Sequence, residues 1–143
     1  MITQAMCTSF KVGLLNGDFD FGTGTTQTFK VALYTSAANL SAATTAYSPT
    51  NEASGAGYTA GGKVLSVSVV PTSTGTTAFL SFADITWSAT TIIARGALIY
   101  KADGVTNPAI AVLDFGEDKQ TNAGNFTINF PLADASNAII QIA

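Results

Sequence analysis

The chain has 143 residues, of which 47% are hydrophobic and only 10% charged; six basic and nine acidic side chains leave a net charge of −3. That length predicts one domain, residues 1–143, with a core large enough to need no metal or disulfide staple, and the single Cys7 allows no internal disulfide. The absence of histidine removes the commonest general base and zinc ligand. The six basic residues are too scattered for a nucleic-acid footprint, and no run of 18 apolar residues offers a membrane span.

The first segment, ITQAMCTSFKVGLLNG (2–17), predicts the only helix. Ile2, Met6, Phe10 and Leu14 recur every four residues as an apolar stripe, Thr3 can cap the start, and Asn16-Gly17 suits the stop. Packing on the chain's own sheet is the favoured use of that stripe. With no basic leader or continuous apolar stretch, the segment does not read as a secretory signal. Cys7 is expected to be a buried thiol. GDFDFGTGTTQ (17–27) is a loop by composition, and Asp18 with Asp20 supplies too few oxygens for calcium.

Strands then follow in series, each by its alternation of apolar and polar residues. TFKVALYT (28–35) comes first, and a long polar stretch, residues 36–62, succeeds it with room for one short edge strand. Within it, GYTAGGKV (57–64) matches most of the phosphate-cradling pattern G-x-x-x-x-G-K-[ST]. Val64 stands where the metal-holding hydroxyl belongs, and the next residues alternate as a strand rather than opening a helix. The glycines are therefore assigned to positive φ or close backbone contact. KVLSVSVV (63–70), a PTSTG turn (71–75), TTAFLSFADITW (76–87) and TIIARGALIYKA (91–102) continue the series, with Gly96 at a bulge or close approach. After a turn at 102–108 come AIAVLDFG (109–116), a polar loop at 116–124, NFTINFP (125–131) and NAIIQIA (137–143). Seven or eight short strands between turn signals predict an all-β fold, an antiparallel β-sandwich or jelly roll with one short N-terminal helix.

Few residues carry chemistry. A glycosidase-type carboxylate pair can be drawn only from Asp84, Asp114, Glu117, Asp118 and Asp134. DFGEDK (114–119) echoes a kinase signature but reads as a strand end entering a charged turn. Arg95, inside an apolar strand, calls for a structural ion pair with Asp84 or Asp114. Trp87 reads first as core and second as a stacking platform for sugars, and Tyr47, Glu52, Tyr58 and Trp87 form the candidate interaction surface. No catalytic, cofactor or metal residue is assigned.

Phrases along almost the whole chain, among them ITQAMCTSFK, TFKVALYTSAANL, ASGAGYTAGG, FADITW…ARGALIY, AVLDFGEDK and AIIQIA, resemble a family of small virion proteins of tailed bacteriophages and prophages. The resemblance implies a structural protein without catalysis, made in the bacterial host cytoplasm and carried in the virion. Three roles follow as expectations. The first is a capsid decoration or cement protein on the capsid exterior, binding the major capsid protein shell or other virion proteins as a homo-oligomer. The second is a tail or adsorption component that contacts host sugars through Trp87 and the tyrosines Tyr34, Tyr47, Tyr58 and Tyr100. The third, an enzyme acting on cell-wall material, would need one of the carboxylate pairs above. Composition alone favours lasting contact with neighbours. Some 7,000 Å² of surface, the order of magnitude for this mass, carries few charges that binding would have to desolvate.

Overall fold

A computed structural model describes all residues from Met1 to Ala143 and shows an antiparallel β-sandwich of ten strands with one short helix. The larger sheet has the order β1-β8-β7-β2-β3, built from β1 (Ala5–Met6), β2 (Phe29–Tyr34), β3 (Lys63–Leu65), β7 (Ile93–Lys101) and β8 (Ala109–Gln120). Opposite it stand a three-stranded sheet, β10-β5-β4, and a two-stranded one, β6-β9. These contain β4 (Val67–Thr74), β5 (Thr77–Phe82), β6 (Ile85–Thr90), β9 (Gly124–Ile128) and β10 (Ile140–Ile142).

The two central strands of the large sheet, β2 and β7, are buried along most of both faces. Alternation and register assign the faces. Phe29, Val31 and Leu33 lie opposite Lys101, Ile99 and Ala97, on the side where Phe29 meets Phe21 and Phe82 in the sandwich interior. Ala32 and Tyr34 lie opposite Leu98 and Gly96 on the other side, with Tyr100, and this outer face is roofed by residues of the 36–62 segment. An outer face this apolar, interrupted in β2 only by Lys30, needs a second cover. The long loop is that cover. Thirty-one buried residues form one continuous core through all of these layers.

Three expected strands divide or shift, and the helix is shorter than its pattern. The 63–70 strand changes sheet at Ser66, giving β3 and β4, and the 76–87 strand breaks at Ala83-Asp84, giving β5 and β6. Such switches are how a sandwich turns its corners. The expected turn at 71–75 is still strand: β4 runs to Thr74 and a two-residue loop, Gly75-Thr76, joins it to β5. Pro71 is accommodated because β4 is an edge strand with register shifts. The polar stretch 116–124 is likewise strand as far as Gln120. The helix α1 covers Thr8–Asn16 rather than 2–17. Ala5 and Met6 pair with Val112 and Ala111, and Ile2 bridges to Leu40, so the unpaired edge of β8 draws these residues away from helical continuation. Thr3 caps nothing; Cys7 stands at the N-cap without a side-chain bond. Gly17 does end the helix, at φ 78° with its N–H turned back to Gly13 and Leu14. Phe10 anchors α1 to the core through Phe19 and Phe21.

Gly62 answers the phosphate-loop question structurally. Its φ is 75°, and a Cβ there would lie 1.8 Å from the carbonyl oxygen of Val31. The glycine lets the loop come back onto β2 to start β3. Gly96 serves the same purpose on β7, where a Cβ would sit 2.4 Å from Leu113 O, beside the register shift between Ala94 and Gly96. Gly62→Ala is expected to destabilise by at least about 3 kcal/mol, because backbone must move as well as strain be stored. Gly17→Ala, at a similar φ with open space around it, should lose only about 1 kcal/mol. Urea denaturation of the two variants measures the difference, and equal losses would refute the close-contact account.

Candidate functional site: a tyrosine and glutamate clasp beneath the long loop

Residues 36–62 contain one charged residue, Glu52, and the chain has four tyrosines in all. The fold brings all five together. Segment 51–53 runs beside β2 where β3 has ended: Thr35 N–H donates to Asn51 O at 3.0 Å, Ala53 N–H to Leu33 O at 2.8 Å, and Glu52 bridges to Tyr34. This is the short edge strand for which the sequence left room. Glu52 thereby projects among the phenols. Its Oε2 accepts the Tyr47 hydroxyl at 2.7 Å, and its Oε1 accepts the Tyr58 hydroxyl at 2.6 Å and the Gly61 N–H at 2.8 Å.

The remaining hydroxyls complete the fastening. Tyr58 Oη also accepts the N–H of Leu33 at 2.9 Å, a donor that β3 leaves free. Tyr100 donates to Gly61 O at 2.6 Å and Tyr34 to Ser48 O at 2.6 Å, each from a sheet strand up to the loop. The Tyr47 ring stacks on Tyr100 with centroids 4.8 Å apart, and Tyr58 lies 6.0 Å from Trp87. Burial foremost, with the Glu52 carboxylate adding to it, raises the ionisation of all four phenols above the ordinary value of 10.0. All four remain neutral donors, Tyr47 and Tyr58 toward Glu52 and Tyr34 and Tyr100 toward loop carbonyls.

Of the expected interaction residues, Trp87 is 4% exposed and belongs to the core, edge-on to Phe126. Tyr47, Glu52 and Tyr58 are half-buried, with their polar atoms turned to one another. Tyr34 and Tyr100 are buried. Trp87, Tyr34 and Tyr100 thus lie inside the protein, and one face of the Tyr47 ring is taken by Tyr100. What the sequence reading lacked was the union of Tyr34 and Tyr100 with the other three residues; a lone charge in an otherwise neutral loop was the available signal.

The other candidate residues lie apart from this cluster. Arg95 pairs with Asp114, Nε to Oδ1 at 3.4 Å, with both side chains about a third exposed, so the pair contributes little. Asp84 is not its partner: Asp84 accepts the Phe130 N–H at 2.8 Å and fixes the exit from β9. The Gly116 amide first, and Arg95 second, hold the Asp114 carboxyl below the usual range. Lys119 does the same to Glu117, and Asn137 with Ser136 to Asp134. These shifts run opposite to those of a general acid. Asp20 and Asp18 do not converge: Asp20 Oδ1 closes a turn onto Gly22 N–H. Asp103 is drawn down to about 2 by the N–H groups of Asn107 and Val105, which its carboxylate gathers into the β7–β8 turn. Burial pushes the Cys7 thiol up to about 11.

No group of three or more Cys, Asp or Glu stands close enough to hold a metal ion. No helix is long and apolar enough to cross a membrane. The clefts, of about 520, 490 and 420 Å³, are shallow; the largest separates β8 from β9 and has Asp114 as its only carboxylate. No protein family, characterised protein or solved structure matches the chain.

Two measurements test the clasp. Glu52→Gln, which replaces a triple acceptor by a neutral amide, should lower stability by about 2 kcal/mol, with Tyr47→Phe losing about 1. The phenols release protons later in the folded chain than in the unfolded one, so their contribution is complete below pH 10 and fades above it. The denaturation midpoint should therefore hold steady to about pH 9 and fall beyond about pH 10, less steeply in Tyr47→Phe. A midpoint insensitive to alkali would contradict the network.

Proposed function

We propose that this chain is a structural protein of a tailed-bacteriophage particle, a decoration or cement subunit seated on the exterior of the major capsid protein shell. The observation that carries the reading is its surface. A folded surface of 7230 Å² holds fifteen charged side chains, roughly one per 480 Å², so a binding patch of about 800 Å² meets only one or two. Hydroxyl, amide and methyl groups fill the rest, and they give up water with far less penalty than ions do. The longest loop is clamped flat on the sheet, so partners meet a rigid face with little side-chain or backbone entropy to lose. The resemblance of phrases from one end of the chain to the other supplies the particle context.

The mechanism is linkage. A subunit that binds the assembled shell and not its dispersed components stabilises the shell by RT ln(1 + [L]/Kd). Repeated over a symmetric lattice, modest contacts add through multivalency. The alternative role, sugar contact in a tail, loses support because Trp87, Tyr34 and Tyr100 are buried and the Tyr47 and Tyr58 hydroxyls are bonded to Glu52. The test is addition of purified protein to particles that lack it. The temperature at which the shells release DNA should rise by several degrees and saturate at a fixed ratio of subunits to capsid protein. Shells unchanged by saturating protein would end the cement reading.

A further inference from the structure

Strand edges in this fold are guarded, with one exception. An exposed edge is a template for pairing, and proteins blunt it with charge, proline, bulges or cover. β3 carries Lys63, and β4 carries Pro71 and two register shifts. β1 is flanked by Leu40 and Ala42, whose carbonyls accept the N–H groups of Thr3 and Thr8, and β8, beyond its short pairing with β1, carries Asp114, Glu117, Asp118 and Lys119 and a left-handed Gly116. The outer side of β6 meets the loop at the Ala56–Thr91 bridge, and Lys63 Nζ donates to Thr86 O. The free side of β9 faces β8 of the same chain across the cleft lined by Phe115 and Phe126. β10, short at three residues, carries no charge, proline, bulge or cover. Ile140-Gln141-Ile142 pairs with β5 on one side without a shift, and its other side is open.

Over the face of this sheet lies an apolar groove of about 490 Å³, lined by residues of β4, β5 and β10. Ile140 and Ile142 share one face of β10 and line it with Leu80, Phe79, Phe10 and Leu14. Asp20 is the only charged residue of the lining, and its Oδ1 is taken by Gly22. An occupant must therefore be extended, uncharged and apolar on one face. β10 itself has that chemistry.

We infer that β10 is a self-pairing edge, joining two copies of this chain about a two-fold axis into one six-stranded sheet. The register in which all three residues pair places Gln141 on the axis and each Ile140 beside Ile142 of the second copy. The four isoleucines then form one apolar strip along the seam, flanked by the two grooves. The contact is isologous and closes on itself, so it gives dimers and not fibres. A three-residue strand pairing is short against some 20–30 residues a side in a standard interface, which places the dimer at the weak end, with a Kd on the order of 10 µM. This inference does not rest on the virion reading; a chain of any function with this edge would pair.

Sedimentation equilibrium and cysteine cross-linking test it. Wild-type protein at about 200 µM, well above that Kd, should be mostly dimer. Ile142→Lys, a charge at a position already 54% exposed, should weaken association at least tenfold without changing the melting temperature. Val12→Lys, equally exposed on α1 and outside the groove lining, should associate as wild type does. Should the lysine variant fail to fold, Gln141→Cys decides: oxidation should link it into a covalent dimer, since Cys7 is fully buried and leaves only the new thiol to react. A monomeric wild type, an undiminished Ile142→Lys dimer, open-ended association, or no Gln141→Cys cross-link would each overturn the proposal.

Discussion

The carboxylate of Glu52 is the constraint around which the outer half of this protein is organised. A 27-residue loop with one charge cannot lie on an apolar sheet unless its backbone groups find partners there, because unpaired amides under cover are penalised by 1–3 kcal/mol each. Tyrosine solves half of that problem: the ring buries against the sheet and the hydroxyl reaches a polar atom. Tyr34 and Tyr100 do this from the strands, and Tyr47 and Tyr58 from the loop. Two of the four hydroxyls need an acceptor that no strand offers. Glu52 provides it and takes the Gly61 amide as well. Remove that one acceptor and two phenols and an amide are stranded together, which couples the loop's attachment into a single event.

The same layer explains the composition. With the sandwich interior on one side and the loop on the other, β2 and β7 read as nearly continuous apolar runs, not as half-exposed alternation. Lys30 and Arg95 are the interruptions, and both stay only partly buried. Charge is scarce because so much of each strand is covered, and because the remaining surface is threonine, serine, alanine and asparagine. No buried side-chain nitrogen or oxygen is left without a hydrogen-bond partner. The polar groups that do lie inside are all committed to holding the fold.

Most of the strands were legible because period two is a local property, and β2, β7 and β9 each display it or the apolar run of a doubly covered strand. The boundaries between sheets were not. Chain reversals at turns are marked by glycine or proline, but Ser66 and Ala83-Asp84 move the chain from one layer to the other with ordinary residues, since a bend of that kind needs no positive φ. The N-terminal pattern was misread for a related reason. Ile2 and Met6 fit a helical stripe, yet the free edge of β8 offered backbone partners that a short helix could not match. In the clasp, Glu52 and its two nearest phenols were visible as a polar-aromatic group in one loop. Tyr100 lies 39 residues from Gly61, and only the fold unites them.

The side chains of the clasp are spent on internal fastening, and the uncharged surface around them leaves shape and open backbone as the features a partner would meet. That places weight on where the backbone is open. An edge strand binds by hydrogen bonds that are invariant to sequence and takes its selectivity from the side chains of one face, so a neutral edge bordered by an apolar groove is selective for extended, uncharged partners. Charged edges elsewhere on the same molecule reject the wrong registers, as unlike contacts would bury unpaired ions. The placement of the charges thus matters more than their number: five of the fifteen stand on β3 and β8, where pairing would be an error, and none stands on β10.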